Sequence, residues 1–304
     1  MNKKLVFIAF VVSLGGFLFG FDAGIISGVM NYVGPEFNLD DIQSGWVVSS
    51  PSWAAMIAML FSGRLSDKIG RKKILILVAL LYAISAIASA LANSYEMLYI
   101  ARIIGGLAFG AALVLAPIYI AEISTPENRG KLVSLQQLNI VFGFFAAFFS
   151  NYLFNKYNTV DSVFLTDENV WRWMLGVELL PALCYFILMF FVPKSPRWLY
   201  LKGKVEEAKN VLTQIHGKER GAEEILSIEK NSNTDENKSD IKIKDLLKKS
   251  LRFIIIVGLV IGVLQQITGI NAVYFYATSI FKQTGVGTDA AFSSGVLLSS
   301  ISVV

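Results

Sequence analysis

Three ionisable residues, Asp22, Arg102 and Glu178, stand inside long runs of apolar sequence. A lone charge in hydrocarbon is costly, so two carboxyls and a guanidinium placed there are most cheaply kept by pairing with one another. Such a cluster could do chemistry of one kind. A carboxyl whose distance to a guanidinium changes would take up and release a proton. A permanent structural ion pair is the other use of the same residues. Arg102 and Glu178 each lie about six residues, or roughly 9 Å of helical rise, from one end of their segments. Asp22 lies somewhat deeper, so a single polar cluster can hold all three.

The elements that must position them are membrane helices. Only 16% of the 304 residues are charged, against about 25% in an ordinary soluble domain. Hydrophobic residues make up 54% and mean hydropathy is +0.57. Apolar runs near 5–30, 42–63, 74–93, 97–121, 132–154, 173–192 and 252–281 are long enough to cross a hydrocarbon core of roughly 30 Å. A further stretch runs from about 289 onward. Helices are the economical form, because lipid offers backbone amides no partners.

The net charge of +4 and pI near 9.0 could indicate nucleic acid, but the distribution argues against it. Most cations fall on one side of the segments: Lys3 and Lys4, then Arg64, Lys68, Arg71, Lys72 and Lys73, then Arg129 and Lys131, then a long basic stretch after the sixth. The opposite loops hold Glu36, Asp40, Asp41, Glu96, Asp161, Asp167 and Glu168. This bias places the N-terminus and the stretch after segment six in the cytoplasm of a multi-pass inner or plasma membrane protein. The N-terminal run is too long, contains Asp22 and lacks a cleavage site, so it reads as a retained span and not as a signal peptide. Cys184 reads as a small apolar filler and His216 as a solvated linker side chain.

Residues 194–250 change character. Val205, Ala208, Val211, Leu212 and Ile215 recur at helical spacing, as do Ile225 with Ile228 and Ile243 with Leu246 and Leu247, predicting short amphipathic helices. Asn231–Lys238 lacks an apolar face and reads as a loop. A faint repeat, Gly20-Phe21-Asp22-Ala23 against Gly269-Ile270-Asn271-Ala272, opens each of two halves. The last stretch, about 16 residues or roughly 24 Å, falls short of a full crossing. The chain is therefore expected to be a truncated form of a longer protein.

Three motifs punctuate the cationic side. Gly63-Arg64-Leu65-Ser66-Asp67-Lys68-Ile69-Gly70-Arg71-Lys72-Lys73 follows span two, with glycines for close approach and a tight turn. Pro117, Tyr119, Glu122, Arg129 and Gly130 follow span four. Pro193-Lys194-Ser195-Pro196-Arg197-Trp198 follows span six. With Arg102-Ile103-Ile104-Gly105-Gly106 and Gly110 in span four, these resemble the sugar porter family of the major facilitator superfamily, from about Phe19 to the last residue.

The resemblance implies an all-α, polytopic membrane protein of the major facilitator fold. Residues 1–193 would be the six-helix N-terminal bundle, 194–250 the cytoplasmic linker and 251–304 the start of the C-terminal bundle. It implies secondary transport of a monosaccharide with a proton by alternating access, with no catalysis, metal, cofactor or nucleic acid. Asp22, Arg102 and Glu178 would couple the proton. Phe19, Gln137, Gln265, Gln266 and Asn271 would meet the sugar, whose hydroxyls suit amides that both donate and accept. Asp67, Arg71, Glu122, Arg129 and Arg197 would form a cytoplasmic gate. A Gln pair could instead bond neighbouring helices. Lys194 stands where the family motif has Glu, reversing a charge in the gate. Phe144 and Phe275 replace polar residues and remove possible sugar contacts. A facilitative uniporter and a non-transporting sugar sensor or interaction fragment remain the rival readings.

Overall fold

The computed structural model describes residues 2–158, 165–236 and 249–303. The apolar runs become helices: α1 (Lys3–Glu36), α2 (Asp41–Ile69), α3 (Arg71–Ala90), α4 (Tyr95–Ile123) and α5 (Pro126–Tyr157) are each a single rod. Side chains start three of them where the sequence turns, Asn2 accepting from the Lys4 amide at α1. Asp40 and Gln43 form a reciprocal capping box at α2, and Ser94 accepts from the Met97 amide at α4. By length and composition, seven helical segments among the described residues can cross a membrane.

Spans six and seven, predicted as single rods, are broken. Span six is α6 (Val170–Gly176) followed by α7 (Leu179–Phe191). Pro181 has no amide proton, so the Val177 carbonyl cannot receive the usual bond four residues on. It accepts instead from the Leu180 amide at 3.1 Å, a tighter turn. Span seven is α11 (Lys249–Ile267), α12 (Ile270–Phe275) and α13 (Ala277–Gln283), and α14 (Thr288–Val303) follows. The first break falls at Gly269, whose φ is +71°.

That break separates the two arms of the faint repeat. Gly20 lies inside α1, and a Cβ there would sit 2.0 Å from the Ile140 carbonyl of α5. Gly143 faces the Phe17 carbonyl in the same way, so small residues let α1 and α5 run backbone to backbone. Gly269 has open space around it. One glycine serves close packing and the other serves a turn.

The linker forms α8 (Pro196–Leu201), α9 (Val205–His216) and α10 (Lys218–Glu236). Ala208, Leu212 and Ile215 are buried as their spacing predicts, and Ile225 packs against Leu199, Ala208 and Leu212. The predicted loop at 231–238 is helical as far as Glu236, so α10 continues past its apolar face. Ile243, Leu246, Leu247, Asp161 and the remainder of that predicted loop lie outside the described residues.

His216 is not simply solvated. Its ring nitrogen lies 2.9 Å from the Ile123 carbonyl and ties α9 to the end of α4. Cys184 faces outward on α7 and fills no core space. Gly63 lies within α2 with nothing near it, so in the first motif only Gly70, at φ +104°, makes the turn.

The two ends of the molecule differ. At the end away from the linker, Ser27 Oγ meets Thr278 Oγ1 at 2.7 Å and Asn31 donates to Thr278 at 3.2 Å. Asn155 donates to Asp289 at 2.7 Å. Toward the linker end, no residue of Leu251–Ile267 is buried. α11 is thus largely exposed along its length.

Candidate functional site

The middle of the first bundle encloses the predicted charged cluster. Arg102 of α4 donates a short hydrogen bond to the Asp22 carboxylate of α1. Glu178 stands at the break between α6 and α7 and interacts electrostatically with both. Their relative exposures are 4%, 3% and 3%, so none faces lipid. The α1–α4–α7 packing that shuts them in is apolar. Leu18, Phe109, Ala112 and Ala182 belong to its core.

Two buried tyrosines lie on helices around the cluster, and sequence reasoning missed both. Tyr82 of α3 donates to the Gly15 carbonyl at 3.2 Å and feels the charges of Glu178 and Asp22. Tyr185 lies two turns along α7 from Glu178, and its hydroxyl is buried without a hydrogen-bond partner. Arg102 Nε is likewise buried and unpartnered. The signal that could have found Glu178's setting was Pro181, three residues on, which breaks the helix where the carboxyl must turn inward.

The predicted sugar-contact residues lie on four helices, α1, α5, α11 and α12. Gln137, Gln265, Gln266 and Asn271 are all exposed. Asn271 donates to Gln266 at 3.0 Å, whereas no hydrogen bond among the described residues joins Gln137 to them. Gln136, beside Gln137, turns into the bundle and reaches the Leu113 carbonyl at 3.5 Å. Phe19 is half-buried between Phe109, at a ring separation of 4.9 Å, and Phe144, at 6.5 Å. Phe144 also meets Tyr274 at 5.2 Å, a bridge between α5 and α12.

The linker-end network forms around Glu122. Arg71 bonds it at 3.0 Å and Asp67 at 2.7 Å, and Ser195 Oγ donates to Glu122 at 2.5 Å. Arg197 adds its field to Glu122. Arg129 lines a cavity with Glu122 and Arg197 but is not hydrogen-bonded to them. Tyr119 donates to the Pro193 carbonyl at 2.7 Å, and Trp198 Nε1 donates to the Asp67 carbonyl at 3.0 Å. The three motifs thus meet in one place. Lys194, the reversed charge, stands outside this network and binds Glu207 of α9 at 3.2 Å. Among the described residues, no group of His, Cys, Asp and Glu is placed to hold a metal ion.

Apolar helices of membrane-spanning length, enclosing an acid–guanidinium cluster, with no strand among the described residues, make this an all-α, multi-pass membrane protein. The sequence matches the sugar (and other) transporter family over residues 8–304, and the chain belongs to that family. It is 36% identical over 300 residues to the arabinose-proton symporter of Bacillus subtilis, covering 99% of this chain and 63% of the relative. It is 36% identical over 312 residues to the major myo-inositol transporter IolT of the same organism, covering 100% of this chain and 65% of the relative. The chain thus spans a little under two thirds of the length of these relatives. Among solved structures it superposes on the proton:xylose symporter XylE of E. coli, bound to 6-bromo-6-deoxy-D-glucose, with a TM-score of 0.84. That match has 30% identity and covers 100% of this chain and 68% of that one.

Proposed function

We propose that this chain carries a monosaccharide across the cell membrane together with a proton, by exposing one site alternately to the two sides. The observation that carries the reading is the Asp22–Arg102 pair with Glu178, enclosed among helices of a membrane bundle. A permanent strut would not need a second carboxyl within its field. The similarity to symporters of arabinose and of xylose with protons supports the same reading.

In this reading Asp22 takes the proton, Arg102 sets its affinity, and Glu178 shares the charge as helices shift. Gln137, Gln265, Gln266 and Asn271 bind sugar hydroxyls over the Phe19 ring. Asp67, Arg71, Glu122, Arg129 and Arg197 close the linker end. Residues 1–193 act as the first bundle, 194–250 as the cytoplasmic linker and 251–304 as part of the second bundle, with the N-terminus in the cytoplasm. The cation bias of the linker-side loops supports that orientation.

The test is sugar-driven proton uptake in reconstituted vesicles. Wild-type protein should move protons when sugar is added. Asp22→Asn should lose that movement while retaining sugar counterflow. Unchanged coupling in the variant overturns the role of Asp22, and sugar flux without proton movement in the wild type makes the protein a facilitative carrier.

A further inference from the structure

Four lysines from three parts of the chain crowd one cavity at the linker end. Lys72 and Lys73 stand in the first turn of α3, Lys194 follows α7, and Lys204 precedes α9. The cavity is about 250 Å³, and its walls include Ile69, Ile76 and Trp198. Lys72 donates to the Phe190 carbonyl at 2.8 Å, and its ammonium repels that of Lys194. Glu207 meets Lys194 at 3.2 Å and Lys204 at 3.5 Å. Neighbouring Arg71 is already matched by Asp67 and Glu122. One carboxylate set against four ammonium groups leaves the cavity rim positive.

The surface beside this rim is apolar. Phe190 and Phe191 of α7 and Leu77 of α3 are exposed on the outside of a bundle that lies in lipid. A cationic rim, an apolar wall and an adjoining lipid-facing surface together fit an anionic amphiphile. Lysine ammonium groups act as point charges toward phosphate, and basic pockets at helix ends hold lipid headgroups. We propose that this cavity binds the phosphate of an anionic phospholipid headgroup, with the acyl chains lying along α3 and α7. The inference concerns the membrane-embedded fold and does not depend on what the protein transports.

The test is lipid retention by the purified protein in native mass spectrometry, with phosphatidylglycerol compared with phosphatidylcholine. Phosphatidylglycerol should be retained in preference. Lys194→Glu should weaken its retention at least about fivefold, and Glu207→Gln should strengthen it about fivefold, the effect of one charge near a headgroup. Misfolding cannot produce the second result. Equal retention of the two lipids, or no change in either variant, overturns the proposal. Displacement of phosphatidylglycerol by an equal concentration of inorganic phosphate would assign the cavity to a soluble anion and overturn the lipid reading.

Discussion

Removing the Arg102 guanidinium would leave Asp22 facing Glu178 in a dry interior with no cation between them. Arg102→Met should therefore destabilise the protein by about 3–5 kcal/mol, the cost of an uncompensated buried charge. The Asp22→Asn/Arg102→Met pair should cost less than Arg102→Met alone, and thermal unfolding in detergent measures both. Tyr185→Phe tests the opposite case. Its hydroxyl has no partner to lose, so stability should hold or rise by up to about 1 kcal/mol. At this scale the charged triad was legible because a charge in an apolar run is an anomaly. Tyr82 and Tyr185 were not, since a tyrosine in a membrane helix looks ordinary until its neighbours are known. His216 was misread for a related reason, because the carbonyl it meets belongs to Ile123, far away in sequence.

At the scale of elements, α1 and α5 approach so closely that Gly20 has no room for a side chain. Gly20→Val should push the helices apart and cost at least about 1–3 kcal/mol, read again by thermal unfolding. The docking of α9 has a pH signature. The Lys194 hydrogen bond, with the fields of Lys194 and Lys204, holds the Glu207 carboxyl below its ordinary range. A lowered value in the folded state means the contact is fully present above the ordinary glutamate range and is lost as pH falls through the lowered one. The protection of α9 amides, relative to their intrinsic exchange rates at each pH, should fall on acidification through that window, and Lys194→Ala should remove this pH-dependent step. Rods and linker helices were legible from hydrophobic run length and period. The breaks at Glu178 and Gly269 were not, because hydropathy averages over the single proline or glycine that causes them.

For the whole molecule, the described hydrogen bonds from α13 and α14 to the first bundle lie at the end away from the linker, while α11 is exposed. A Ser27→Cys/Thr278→Cys pair, in a Cys184→Ser background, should cross-link, because the two hydroxyl oxygens are 2.7 Å apart. If the two ends alternate, the cross-link should block sugar uptake and a reductant should restore it. That asymmetry could not be read from the sequence, since serine, threonine and asparagine carry no periodic mark. The hydroxyl and amide bonds of the joined end each contribute about 1 kcal/mol, and apolar packing adds to them: Phe292 of α14 is buried in the core that holds Phe21 and Ala147, and Gly295 sits against the Phe148 ring of α5. A cargo shifts the balance only by preferring the other state by more than these contacts together supply. No pair of opposite ionic charges is among those contacts, so raising the salt concentration should leave the balance between the two states nearly where it was.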